Sequence, residues 1–306
     1  MFKKIAALAT AAVLCAGLMA GCGASSTTAD TSYSAENPLV LTLAHGLSET
    51  HTVHIAMTQF ADEVAEKTDG RIQVKIFPNG QLGSENENLE QLQAGVIAMT
   101  KVSAPGLATY NDAFNTFGLP YIFNDTDDFY HVMDSQEMQD FFLSTGDDGF
   151  VTLTYYTSGA RSFYTKDKAI RTPADLKGLK IRGVSDWANI ETRLGASVVT
   201  MDGGDCYEAL SHGTIDAAEY SSPSANWAAG FQEVAPYLTV PGVHQSCSVY
   251  LFLINRNIWD GLDAQTQSII KLACTSMMAQ NWAEDRAANG KAWEQFRALE
   301  AQGKLT

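Results

Sequence analysis

The sequence predicts an α/β fold of two similar lobes that are joined by crossing strands and by one long helix. Strands alternate with helices over residues 38–102 and again over residues 151–219, which is the pattern of a parallel sheet in each half. A helical pattern then runs from Asp263 to about Ala301, interrupted only by Gly290. A helix of that length reaches along both lobes, so the fold class predicted is a two-lobed, hinged clamp.

The first half contains three strands with helices between them. Residues 38–45, 71–77 and 96–102 have the alternating or apolar composition of strands. Ser48 is the candidate N-cap of the first helix, and Ser84 with Glu87 forms a capping box at the start of the second. Residues 114–123 predict an apolar loop or short strand, and residues 125–142 predict one helix.

The second half repeats this order with shorter elements. Thr172-Pro173-Ala174-Asp175 predicts a helix start, and Gly178 ends that short helix. Strands are predicted over residues 179–183, 196–200 and 214–219, with short helices between them. The apolar run Cys247–Asn255 predicts a buried strand that returns to the first lobe. The lobes are therefore predicted as residues 38–157 plus 247–285 and residues 158–246 plus 286–306.

The first 37 residues predict export and anchoring. Residues 1–22 form a lipoprotein signal peptide, because Lys3-Lys4 precede an apolar stretch that is short for a membrane span, and small residues precede Cys22. A plain signal peptide cleaved near Ala20 is the alternative. Residues 23–37 are polar and form a flexible tether. We expect an extracytoplasmic protein, lipid-anchored through Cys22 at the bacterial cell membrane.

The charge of the chain limits its partners. The 306 residues carry a net charge of −15, and without Lys3 and Lys4 the remainder carries 18 basic and 35 acidic side chains. This acidity argues against nucleic acid and anionic membrane surfaces as partners. An acidic protein that binds an anion needs a local cationic pocket, so the positions of its few arginines are informative.

Polar and aromatic side chains follow the ends of several strands in the second half. They are Arg161, Arg182, Glu219 and Tyr220. Ligands bind beyond the carboxyl ends of parallel strands, where these side chains should meet. A guanidinium beside an acid and an aromatic ring suits a small carboxylate. From position alone, a surface Arg182 paired with Asp175 or Glu191 is an equal alternative. A second arginine past a strand end, Arg161, favours an anion site, which the sequence therefore predicts.

Other candidates have weaker support. His45 ends the first strand, and Glu87 is a ligand contact only in addition to its capping role. Trp187, like Tyr220, fits either ligand stacking or core packing. Three nearby histidines (His45, His51 and His54) suggest solvated or capping residues more than a metal site. We predict no metal, with Glu219 as the one candidate ligand of a cation that bridges to a carboxylate, and no other cofactor.

Signatures of catalysis are missing from the sequence. It contains no G-x-S-x-G elbow, no P-loop and no G-x-G-x-x-G after a strand. A binding protein is therefore predicted instead of an enzyme. An extracytoplasmic α/β enzyme acting on a carboxylate and a ligand sensor that presents its bound form to a receptor are the alternatives.

Six motifs in order resemble the solute-binding subunits of tripartite ATP-independent periplasmic (TRAP) transporters of the DctP-like family. They are AHGLSETH (44–51), FPNGQLGSENENLEQLQAG (77–95), GLPYIF (118–123), Gly159-x-Arg161, PADLKGLKIR (173–182) and GTIDAAE (213–219). The resemblance implies a receptor that closes on a carboxylate solute and delivers it to membrane permease subunits. It also implies that Arg182 makes the main paired contact with the carboxylate and that Arg161 adds a second.

The resemblance leaves the solute open. Residues 203–210 and 230–244 are similar to the branch that binds 2-oxo acids, in which Glu219-Tyr220 would touch a cation and the ligand. Residues 158–161 are similar to the branch that binds sugar acids and dicarboxylates. The family usually carries a further strand and helix beyond the position of Thr306. The oligomeric state is not predicted.

Overall fold

The computed structural model describes residues 33–157, 159–183, 187–220, 222–240 and 247–306; the side chains of Leu143 and Trp187 are also outside this description. Signal peptide, Cys22 and most of the tether therefore lie outside the described residues. Residues 34–306 form one compact unit. Its strands are β1 (Leu39–Ala44), β2 (Ile72–Phe77), β3 (Met99–Ser103), β4 (Phe150–Tyr156), β5 (Ser162–Thr165), β6 (Lys180–Gly183), β7 (Ser197–Thr200), β8 (Ala217–Tyr220), β9 (Tyr237–Thr239) and β10 (Tyr250–Asn255).

Helices flank the strands in both halves of this unit. They are α1 (Thr52–Lys67), α2 (Glu85–Gln93), α3 (Thr126–Met133), α4 (Gln136–Ser144), α5 (Trp187–Arg193), α6 (Cys206–Ser211), α7 (Pro223–Ala228), α8 (Phe231–Val234), α9 (Arg256–Asp260) and α10 (Ala264–Ala301). Short 3-10 helices cover residues 104–109, 112–118, 145–148, 173–176 and 203–205. Across these residues, no helix has the length and apolarity needed to cross a membrane.

The strands form two five-stranded sheets within the described residues. The first has the order β2-β1-β3-β10-β4, in which β1 runs parallel to β2 and β3, and β10 runs antiparallel to β3 and β4. The second has the order β7-β6-β8-β5-β9, in which β6 runs parallel to β7 and β8, and β5 runs antiparallel to β8 and β9. The two-lobed α/β prediction is confirmed, and we name the lobes first and second after these sheets.

The chain crosses between the lobes after β4 and again before β10, and α10 connects them a third time. This 38-residue helix packs against α1 beside the first sheet and against α7 beside the second. Separate hydrophobic clusters support the lobes. Phe114, Phe129 and Leu253 belong to the cluster of the first lobe, and Tyr164 and Phe231 belong to a cluster of the second.

Three local predictions were wrong. His51, not Ser48, is the N-cap of α1, because its ring Nδ1 accepts the N–H of Val53 at 3.1 Å. The loop or strand predicted over residues 114–123 is wrong for residues 114–118, which belong to a 3-10 helix over residues 112–118 with Phe114 fully buried; residues 119–123 have no regular structure, as in a loop. The single helix predicted over residues 125–142 is two helices, because α3 ends at Met133 with Asp134 as its C-cap and α4 begins at Gln136.

Candidate functional site

A cavity of about 640 Å³ lies between the two lobes, within the size range of small-molecule sites. It lies at the carboxyl ends of β6, β7 and β8, where parallel-sheet ligands bind. The second lobe contributes Arg161, Arg182, Thr200, Met201, Asp202, Gly203 and Tyr220 to its wall. The first lobe contributes Gly46, Leu47, His51, Val53, Ser84, Glu85, Asn86, Lys101, Ser103, Pro105, Gly106, Ala108, Thr109, Tyr156 and Tyr250.

Arg182 is held in place by backbone carbonyls. Its Nε and one terminal nitrogen each donate to the carbonyl of Met201 at 3.2 Å, and the other terminal nitrogen donates to the carbonyl of Glu219 at 3.0 Å. These bonds use three of the five guanidinium N–H groups, so each terminal nitrogen keeps one donor. Among the described residues no carboxylate lies within ion-pair distance of Arg182, and Asp175 instead bonds to the 171–172 backbone.

Arg161 has a different environment, since its charge is balanced inside the protein. Its Nε and one terminal nitrogen bind the two carboxylate oxygens of Glu219, the second at 2.6 Å. The other terminal nitrogen donates to the Tyr250 hydroxyl at 3.0 Å. Burial opposes the charged guanidinium, but the Glu219 carboxylate outweighs it and raises the pKa of Arg161 above its ordinary value. The carboxylate of Glu219 is fully buried behind the cavity wall.

Tyr220 covers the free face of Arg182. Its ring centroid lies 5.2 Å from the guanidinium carbon, a cation–π distance, and the ring also packs edge-to-face on Phe231. The hydroxyl of Tyr220 occupies the space that a side chain at Gly203 would fill. Burial raises the pKa of Tyr220 to about 12. Tyr220 therefore stays a neutral hydrogen-bonding group at the cavity wall.

The first lobe faces the arginines with a lysine–glutamate pair. Lys101 Nζ lies 2.7 Å from Glu85 Oε2, and the other carboxylate oxygen accepts the N–H of Ser103 at 2.9 Å. Burial alone would raise the pKa of Glu85, but Lys101 and these hydrogen bonds bring it below its usual value. Glu85 is therefore an anionic acceptor for hydroxyl groups inside the cavity.

Two further sequence candidates, His45 and Glu87, are not among the described residues that line the cavity. His45 is buried, accepts the N–H of Leu47 through Nδ1 and contacts His54 through Nε2 at 3.1 Å. Burial and Lys101 lower its pKa to about 3. Glu87 is exposed and completes the capping box with Ser84. Trp187 begins α5, and its side chain is not described.

Metal ligands do not cluster in the described part of the chain, where no group of three or more His, Cys, Asp or Glu side chains suits an ion. Both oxygens of Glu219 bind Arg161, and Arg182 receives only its backbone carbonyl. The Glu219 side chain pairs with Arg161 because β5, which follows Arg161, lies directly beside β8.

Three charged residues of the described cavity wall escaped the sequence prediction. Lys101 lies within the buried strand β3, and an unpaired buried lysine is costly. Its position in the sequence therefore indicates that it has an acidic partner in the fold. Glu85 precedes it by sixteen residues, and nothing in the spacing links the two. Asp202 follows β7 and lies against Gly46 and Gly80 of the first lobe, a contact that only the folded chain shows.

Comparison with known proteins agrees with this geometry. A family model for bacterial extracellular solute-binding proteins, family 7, matches residues 43–305. The uncharacterized protein YiiZ of Salmonella typhimurium is 37% identical over 211 residues, which cover 68% of this chain and 64% of that protein. The 2,3-diketo-L-gulonate-binding periplasmic protein YiaO of Escherichia coli is 31% identical over 232 residues, covering 75% of this chain and 70% of its own length. The matched parts thus span about two thirds of these relatives.

A solved structure is similar over most of the chain. It is a TRAP periplasmic solute-binding protein of Anaerococcus prevotii with bound D-glucuronate, with 30% identity, a TM-score of 0.78 and 85% of each chain covered. The resemblance to TRAP solute-binding subunits is confirmed, and the family is one of transport proteins, not of enzymes. The chain therefore belongs to the bacterial extracellular solute-binding proteins of family 7, the DctP family.

Proposed function

We propose that this protein captures a sugar acid with a single carboxylate and delivers it to the membrane subunits of a TRAP transporter. The observation that carries the proposal is Arg182, whose guanidinium faces the cavity with two donors left over and no carboxylate partner among the described residues. A bound carboxylate accepts both donors in a forked pair. The glucuronate of the A. prevotii structure and the diketogulonate of YiaO both belong to this solute class.

The charges around the cavity favour one carboxylate over two. Arg161 is neutralised by Glu219 and Lys101 by Glu85, so Arg182 is the cation without an ion pair among the described wall residues. A second carboxylate would meet Glu85 and Asp202 instead of a free cation. Dicarboxylates should therefore bind less well than uronates or aldonates. Most hydrogen-bond donors of Arg161 are used by Glu219 and Tyr250. Arg161 therefore supports Arg182 indirectly, by holding Glu219, whose backbone carbonyl accepts a hydrogen bond from Arg182.

The first lobe supplies partners for hydroxyl groups. Glu85, Asn86, Lys101 and Ser103 line the wall opposite Arg182 and offer both donors and acceptors. A polyhydroxy solute would satisfy these groups, whereas a small 2-oxo acid would reach few of them from Arg182. The volume of the cavity leaves room for a six-carbon sugar acid.

Solute capture would close the two lobes about their connections. The connections after β4 and before β10, together with α10, would act as the hinge. We further propose that the mature protein is held at the outer face of the bacterial membrane by lipid on Cys22. This anchor would keep the receptor near its permease.

The test is a titration of the soluble chain from residue 23 onward, which contains the whole compact unit. D-Glucuronate, D-galacturonate, D-galactonate, pyruvate and succinate are added in turn, with and without calcium, and thermal shift and calorimetry are recorded. We expect a uronate or aldonate to raise the melting temperature by several degrees at saturation, independently of calcium. Preference for succinate, or binding that requires calcium, would overturn the sugar-acid proposal.

A further inference from the structure

One buried carboxyl group near the site has no hydrogen-bond partner in the part of the chain that the structure describes. Glu191 lies in α5 with 1% of its surface exposed, and neither carboxylate oxygen is bonded within the described residues. Its Oε2 occupies the space that a side chain at Gly183 would need, directly beside Arg182 in β6. Because an isolated ionised carboxylate is very costly to bury, an unpaired group in this position takes up a proton.

The charged groups around Glu191 lie on three neighbouring segments. β6 contributes Arg182, β8 contributes Glu219, and the segment before β5 contributes Arg161. Strand β7, on which α5 also packs, carries no charged residue. Burial first, and then Glu219, raise the pKa of Glu191 to about 9, while the two arginines act in the opposite direction. They do not prevail, because neither guanidinium is within ion-pair distance of it.

We propose that Glu191 is kept as the neutral acid and thereby leaves the carboxylate site with one positive charge for the solute. This inference rests on the proposed function. The arginines and Glu219 sum to one positive charge, and ionised Glu191 would cancel it. A solute carboxylate at Arg182 and a negative charge on Glu191 therefore disfavour each other. At a pH at which Glu191 is ionised, solute binding is accompanied by uptake of a proton by Glu191.

The direction of the pH effect follows from this linkage. Below pH 8 Glu191 is already neutral, so solute affinity is constant. Above about pH 9 each binding event must also protonate Glu191, so affinity falls by up to about tenfold per pH unit. Glutamine at this position is always neutral and nearly isosteric, so Glu191→Gln should keep the affinity of the wild type at pH 7 and lose the alkaline fall.

Calorimetry from pH 7 to pH 10 with the best solute of the panel tests the linkage. Wild type and the control Glu294→Gln, an exposed glutamate on α10, should both lose affinity above pH 9, and Glu191→Gln should not. Glu191→Leu, which is also neutral, replaces the glutamine variant if that one does not fold. Equal alkaline loss in wild type and Glu191→Gln, or no loss in the wild type, would overturn the proposal.

Infrared spectroscopy decides the protonation state without any solute. At pH 8 the unliganded protein should show a protonated carboxyl C=O band that disappears in Glu191→Gln and persists in Glu294→Gln. Absence of that band in the wild type would overturn the inference. If the band is present but none of the solutes binds, the proposed function fails and the linkage fails with it, while the neutral acid remains established.

Discussion

Replacing Arg182 with lysine tests the centre of the site, because it keeps the positive charge and removes the fork. Arg182 offers a solute carboxylate one N–H from each terminal nitrogen while three other bonds fix its plane. A hydrogen bond to a charged group contributes about 1.5–3 kcal/mol, and lysine retains one such bond without the fixed orientation. We expect a loss of about 3 kcal/mol in binding, or roughly 150-fold in Kd at about 1.4 kcal/mol per tenfold.

The same change also exposes a structural role of Arg182. The carbonyls of Met201 and Glu219 would lose their guanidinium donors, which should cost about 1–3 kcal/mol in the free energy of unfolding. Calorimetry with D-glucuronate and urea unfolding measure the two effects separately. The matched control is Arg171→Lys, an exposed arginine before the 173–176 helix, which should change neither. Binding within threefold of wild type in Arg182→Lys would refute the assigned role.

Three further changes test other contacts. Glu219→Gln leaves buried Arg161 without its counter-charge and should lower the free energy of unfolding by about 3–5 kcal/mol in urea titrations. A loss below about 1 kcal/mol would show that the Arg161–Glu219 pair does not stabilise the fold in this way. Gly203→Ala places a methyl group against the Tyr220 hydroxyl and should weaken solute binding at least tenfold in calorimetry. The control Gly204→Ala, whose methyl group would meet open space, should not change binding. Equal effects of the two substitutions would argue against a role for the Gly203–Tyr220 contact. Burial raises the pKa of Asp285 to about 6. The free energy of unfolding of the wild type should therefore fall as pH rises from 4 to 6, because ionised Asp285 destabilises the folded state. Asp285→Asn, which cannot ionise, should be more stable than the wild type at pH 7 but not at pH 4. Urea titrations from pH 4 to pH 7 measure this; a difference in stability between wild type and Asp285→Asn that does not change with pH would contradict the raised pKa of Asp285.

Much of this site was predictable because strand ends meet by topology. Arg182 and Tyr220 lie at the carboxyl ends of the neighbouring parallel strands β6 and β8, so the strand order read from the local pattern was enough to bring them together. The Ser84–Glu87 capping box is local and formed as predicted. The partner of Arg161 was not predictable in this way, because the Arg161–Glu219 pair depends on the antiparallel register of β5 and β8.

Residues brought together across the lobes gave no signal in sequence. Tyr250 reaches Arg161 from the first lobe, and Asp202 lies in the space beside Gly46 and Gly80 of the first lobe. Glu191 occupies a helical position at which a charged residue normally faces water, and its burial depends on the space left at Gly183. These contacts arise from packing between segments that are distant in sequence. The periodicity of apolar residues predicts local elements and not such contacts.

The position of β10 in the middle of the first sheet constrains how the chain can fold. Strand β4 joins that sheet only through β10, yet 93 residues separate the end of one from the start of the other. During synthesis or export, β3 therefore presents an open edge until nearly the whole second lobe has emerged. Pairings over such separations form slowly, and unpaired edges promote aggregation. The exported chain should accordingly depend on holdase protection until β10, in about the last fifth of the chain, is available.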